Sequence, residues 1–122
     1  MSFRKFGFPQ NDSKYLWTSH IIGKMRYYGI SEQQVKKIVR MPERKEDGIA
    51  PKTIAVMNTA KSKTKPHEIW VMYQTLKSKT SSQNAKTVLI SAWRYPGRSP
   101  IGKKIDIPEN VLMDLQKFLH SN

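Results

Sequence analysis

The chain has no cysteine, which excludes disulfides, thiolate metal ligands and thiol catalysis. The absence suits a reducing cytoplasm at least as well as an exterior. Long apolar runs are missing too. The longest hold four or five residues, such as IWVMY at 69–73, whereas a membrane span needs about 20. The opening MSFRKFGFPQNDSK lacks the apolar core of a signal peptide. The expectation is a soluble, cytoplasmic protein with no membrane partner. Its three histidines (His20, His67 and His120) lie far apart, with no H-x-x-x-H pair and no neighbouring acidic ligands, so no metal site is expected. With no glycine-rich phosphate loop and no G-x-S-x-G segment, no cofactor is expected either.

Acidic residues are scarce. Nine Asp and Glu face 22 Lys and Arg, a net charge of +13 over 122 residues. Residues 1–60 carry 11 basic and 5 acidic side chains and residues 61–122 carry 11 and 4, so the charge belongs to the body of the chain rather than to a tail. Residues 69–105 contain no acid, but hold Lys77, Lys79, Lys86, Arg94, Arg98, Lys103 and Lys104. A surface without competing carboxylates attracts polyanions, because each phosphate it contacts releases a condensed counterion. A nucleic acid is the leading partner; an acidic protein ranks second.

Length predicts one domain with one real core. Residues 1–18 read as an extended lead-in to a single basic α+β domain over 19–122. A first helix is predicted over 19–28, with Ser19 as N-cap and Ile21, Met25 and Tyr28 at helical spacing. Its opposite side carries His20, Lys24 and Tyr27, with Arg26 nearby, and Gly29 stops it. Ser31 and Gln34 form a capping box for a second helix, with Val35, Ile38 and Val39 inward and Lys36 and Arg40 outward. The period then changes to that of strands at 53–59, 67–74 and 87–94, preceded by a weaker strand near Arg44–Lys45 that turns at Asp47-Gly48. Lys/Ser/Thr-rich loops at 60–66 and 75–86 connect them as an antiparallel meander. A last helix is predicted from Pro108 to Leu119. The expected fold is α+β: two N-terminal helices packed on one face of a three- to four-stranded antiparallel sheet, with a C-terminal helix. The other face or its rim is left for function.

This inventory is compatible with metal-free RNA cleavage. Attack of a 2′-OH on phosphorus needs a proton acceptor, a proton donor and cations for the developing charge. Strict alternation places Val88, Ile90, Ala92 and Arg94 on one strand face and Leu89, Ser91, Trp93 and Tyr95 on the other, with Arg94 at the strand's mouth. His20 and Lys24 on one helix side complete the candidate catalytic set. Arg26, Lys36, Arg40, Lys77, Lys79, Lys86 and Arg98 are candidate phosphate contacts, and Trp70, Tyr73 and Trp93 candidate base platforms. His67, at a strand start after Pro66, is a further candidate. Glu43, Glu46 and Asp47 fit turn formation better than acid–base chemistry.

The segment HIIGKMRYYGIS (20–31), followed by EQQVKKIV, resembles the opening of BrnT-type toxins, and VLISAWR (88–94) resembles their late strand. The resemblance covers about residues 15–100, in order. BrnT-type toxins are similar to the RelE/ParE toxins, small basic α+β proteins that are often ribonucleases neutralised by an acidic antitoxin. The resemblance implies metal-independent endoribonuclease activity on single-stranded RNA or mRNA, with His20, Lys24, Arg26 and Arg94 as the positions it points to, and an acidic antitoxin-like partner. Trp93 stands between Ala92 and Arg94, where the toxin pattern has arginine directly after alanine. A non-catalytic nucleic-acid-binding module, or a basic domain docking an acidic protein, are the alternatives.

Overall fold

Three stretches rich in β-branched and aromatic residues build the middle of the molecule. They form β3 (Thr53–Ala60), β4 (His67–Leu76) and β5 (Lys86–Pro96). The computed structural model describes residues 9–49, 52–60, 65–76, 85–101 and 107–120, and only the backbone of 114, 115 and 117–120. The three strands form the expected antiparallel meander, with Met57 opposite Trp70 and Trp70 opposite Trp93. On the far side of β3 lies β2 (Arg44–Asp47), also antiparallel. The predicted lysine hairpin, with Lys77 and Lys79, lies mostly outside the described residues, as do Lys103 and Lys104 and the side chains of Leu115 and Leu119.

The sheet has one strand more than expected, and it is mixed. β1 (Tyr15–Trp17) lies outside β5 and parallel to it, so the order is β1-β5-β4-β3-β2. These residues belong to the stretch read from sequence as a lead-in. They join the sheet because Tyr15 and Trp17 both bury their rings in the core, while the preceding side chains satisfy the free edge. Asp12 accepts the Tyr15 and Lys14 amides at 2.7 and 2.8 Å, and Asn11 accepts the Trp17 amide at 2.7 Å. The Tyr15 amide, with that of Lys14 behind it, holds the Asp12 carboxyl below its ordinary range.

α1 (Ser19–Tyr28) and α2 (Glu32–Arg40) follow. The N-cap of α1 is Thr18, one residue before the serine expected from sequence. Thr18 Oγ1 accepts the Ile21 amide at 3.1 Å and donates toward the Leu89 and Ile90 carbonyls, both at 3.0 Å, tying the helix start to β5. Gly29 ends α1 at φ +67°, a left-handed conformation open to glycine at little cost. The Gly29 amide donates to the Arg26 carbonyl and the Ile30 amide to that of Met25 at 2.9 Å, the two bonds of a Schellman motif. α2 begins with the expected capping box, Ser31 and Gln34 satisfying one another's amides at 3.1 and 2.8 Å.

Both sheet faces are covered. Ile21, Met25, Val35 and Ile38 of α1 and α2 pack with Val56, Ile69, Val71, Leu89 and Ala92. On the reverse face Ala55, Met57, Trp70, Met72, Ile90 and Trp93 meet Val111 of α3 (Glu109–His120). The sequence reading left that face or its rim for function; aromatic bulk makes the face itself a second core. No helix among the described residues is long and apolar enough to cross a membrane.

Strict alternation fails along β5. A bulge opposite Met72/Tyr73 sets Met72 against Ser91 and Tyr73 against Leu89, leaving Ile90 unpaired. The extra residue changes the phase, so Leu89 and Ala92 share the helix-covered core while Ile90 and Trp93 share the reverse one. Arg94, opposite Ile69, follows Ala92 to the helix side.

Candidate nucleic-acid interface

Arg94 leaves the end of β5 beneath the C-terminus of α1. Its Nε donates to the Tyr28 carbonyl at 2.7 Å and one terminal nitrogen donates to the Gly29 carbonyl at 3.1 Å. These carbonyls end a helix and have no intrahelical partner, so the guanidinium works as a cap supplied from the sheet. Its charge also suits the negative end of the helix dipole. The other terminal nitrogen meets Nε2 of His67, 2.5 Å away. Arginine can only donate, so Nε2 accepts, and the imidazole proton lies on Nδ1, which faces the Lys65 carbonyl at 3.1 Å. Alanine at Arg94 is expected to cost about 1.5–3 kcal/mol, the range for bonds to a charged group. Lysine, without the planar fork, is expected to recover less than half of it. Urea unfolding followed by circular dichroism measures both.

The chain doubles back at the same end. The Gly97 amide donates to the Pro66 carbonyl at 3.0 Å, placing Arg98 beside the start of β4. Arg98 is exposed, but its loop is pinned. The Ser99 amide donates to Glu68 Oε2 at 3.2 Å and the Ser99 hydroxyl to Glu68 Oε1 at 2.7 Å. Trp70 Nε1 donates to the same Oε1 at 3.0 Å. From the other side Arg44 donates to the Ser99 hydroxyl and carbonyl at 2.8 and 3.1 Å and to the Pro100 carbonyl at 2.8 Å, while its Nε pairs with Glu46 at 2.7 Å. Its guanidinium lies 5.3 Å from the Trp70 ring. Glu68 is 3% exposed, so this acid is withdrawn from the surface and both its oxygens are occupied.

In the last turn of α1, just before the carbonyls capped by Arg94, Arg26 is exposed and Tyr27 is 71% exposed. The Tyr27 ring stands edge-on to Tyr28, centroids 4.8 Å apart and planes at 84°. Lys24 Nζ lies 5.6 Å from its centroid. Arg26, Tyr27, Lys65, His67, Arg94 and Arg98 thus gather where α1 ends, β4 begins and β5 ends.

The catalytic set read from sequence does not gather. His20 Nε2 meets the Ser91 hydroxyl at 2.8 Å near the start of α1, whereas Arg94 sits at its end. The helix between His20 and Tyr28 is about 12 Å long at 1.5 Å per residue. Ser91 is fully buried, so the His20–Ser91 pair cannot offer its hydroxyl to a substrate. Lys24 is buried, with its ammonium over the Tyr27 ring. Lys36 pairs with Glu32 at 3.0 Å and sits 5.4 Å from the Tyr15 ring. With Lys86, at the start of β5, it belongs to the opposite end of the sheet. Arg40 is exposed at the end of α2.

All three residues read as aromatic platforms are buried. Trp70 and Trp93 are 1% and 0% exposed and stack on each other, centroids 6.2 Å apart and planes at 7°. Tyr73 lies in the first core, where burial pushes its phenol pKa up. None of the three presents a face to a base. Glu43 accepts the Thr59 amide and hydroxyl, and among the described residues no group of His, Asp and Glu could hold a metal. Tyr27 was within reach of sequence, since it falls off the Ile21–Met25–Tyr28 stripe. Lys65, and the buried network that holds Arg98 in place, depend on long-range pairing and gave no local signal. Comparison with protein-family models, curated proteins and solved structures finds no match to the chain.

Proposed function

We propose that this protein binds single-stranded RNA at the corner where α1, β4 and β5 meet, and holds the strand without cutting it. The observation that carries this reading is the convergence of Arg26, Lys65, His67, Arg94 and Arg98 at one end of the sheet, with Glu68 sequestered beneath Ser99. Four cations, with His67 bonded to one of them and the exposed acid at this end, Glu43, engaged with Thr59, suit a phosphate chain. Cleavage needs an acid, a base and a charge stabiliser within reach of one phosphodiester, and the separation of His20 from Arg94 argues against that. The resemblance to toxin ribonucleases favours RNA over DNA as the ligand.

Fluorescence anisotropy with a labelled 15-nucleotide RNA tests the proposal. Affinity is expected to fall with added salt, with a log–log slope of about −2 to −3, at roughly 0.7 per phosphate contacted on a single strand. Joint replacement of Arg26 and Arg98 by alanine is expected to flatten that slope by about 1.4. The RNA is expected to stay intact during long incubation in EDTA. Absence of binding at 50 mM salt sinks the proposal; cleavage abolished by His67→Ala would replace it with a ribonuclease centred on His67 and Arg94.

A further inference from the structure

We propose that Tyr27 is a stacking platform for one unpaired nucleobase, an inference that rests on reading this corner as an RNA site. Among the described residues the Tyr27 ring belongs to neither core. It is 71% exposed while its neighbours in the turn, Met25 and Tyr28, face the cores. Yet the ring is braced: Tyr28 supports it edge-on at 4.8 Å, and the Tyr28 hydroxyl is itself hydrogen-bonded to Asn110 of α3. A tyrosine carries few rotatable bonds, so a braced ring binds a flat ligand with little further ordering.

The surroundings name the ligand. The Lys24 ammonium stands over one face of the ring, 5.6 Å from the centroid, and exposed Arg26 precedes the ring in sequence. Arg98 stands across the end of the sheet on its pinned loop. An aromatic face flanked by cations fits a base with the phosphates on either side of it. Bases inside a duplex stack on one another and cannot lie on a side chain, whereas a single strand can splay one out. Tyr27 therefore selects single strands, while the arginines supply affinity for any phosphate chain.

Three labelled probes test this by anisotropy: a ten-nucleotide oligoadenylate, an abasic ribose-phosphate chain of equal length and a ten-base-pair RNA duplex. Tyr27→Ala is expected to weaken oligoadenylate binding roughly 5- to 150-fold, the range for loss of one base–aromatic stack. Binding of the abasic chain and the duplex should not change. Tyr27→Trp is expected to retain oligoadenylate affinity. Thermal unfolding by circular dichroism should be unchanged in both variants, since the ring is exposed. Wild-type affinity for oligoadenylate in Tyr27→Ala, or equal losses on the adenylate and abasic chains, overturns the platform and leaves RNA binding standing. Failure of the wild-type protein to bind any of the three overturns the RNA reading itself.

Discussion

Alanine at Trp93 is expected to lower the free energy of unfolding by about 3–5 kcal/mol, the usual cost of truncating a buried tryptophan. RNA affinity of the folded protein should stay at the wild-type value. Trp93 is fully buried opposite Trp70, with parallel rings, and belongs to the core that includes Val111 of α3. Its removal leaves a void between sheet and helix that the stacked partner cannot fill without leaving its own hydrogen bond to Glu68. Urea unfolding by circular dichroism gives the first quantity and anisotropy below the transition gives the second. A stability loss under about 1 kcal/mol, or a tenfold loss of RNA affinity, would return Trp93 to the binding surface.

Alanine at Glu68 is expected to cost a similar amount, about 3–5 kcal/mol, for a different reason. The carboxylate takes three donors: the Trp70 indole, the Ser99 amide and the Ser99 hydroxyl. Removing it strands the first two in a buried site, and Arg44 loses the anchored serine between itself and the acid. Glutamine is the informative comparison. Its oxygen can replace Oε1, but its amide nitrogen would then oppose the Ser99 N–H, donor against donor. The expected cost is intermediate, about 1–2 kcal/mol. Both variants should also weaken RNA binding by more than Trp93→Ala does, because the loop carrying Arg98 is no longer held in place. If Glu68→Gln proves as stable as wild type, the network is ornamental and Arg98 owes its position to something else.

What could be read from the sequence was what depends on neighbours in the chain. The capping box at Ser31, the stop at Gly29 and the three long strands need only local spacing, and all are present. Errors came from interactions across the chain. β1 has just three residues and becomes a strand because β5 offers an edge beside buried space for Tyr15 and Trp17. The bulge in β5 cannot be read from its alternation, because its pairing to β4 creates it. That bulge also decides which residues point at the helices. In the candidate site, composition pointed to the end of β5 that carries Arg94 and Arg98. It could not reveal that Arg94 is engaged with the carbonyls of α1, or that the most exposed aromatic ring near the site is Tyr27 rather than a tryptophan.

The parallel pairing of β1 with β5 has a consequence for the order of folding. Thr18, which joins β1 to α1, bonds to the Leu89 carbonyl 71 positions later. The β3–β4–β5 meander closes through local hairpins, but β1 and the start of α1 have no sheet edge to join until β5 is in place. Closing so long a loop is entropically costly and slow. On a growing chain the first strand made is therefore the last strand to dock, and it carries the helix that ends in the proposed binding corner. The proposed RNA surface is completed only after β5 has paired, so a partly folded chain has its charge before it has its site.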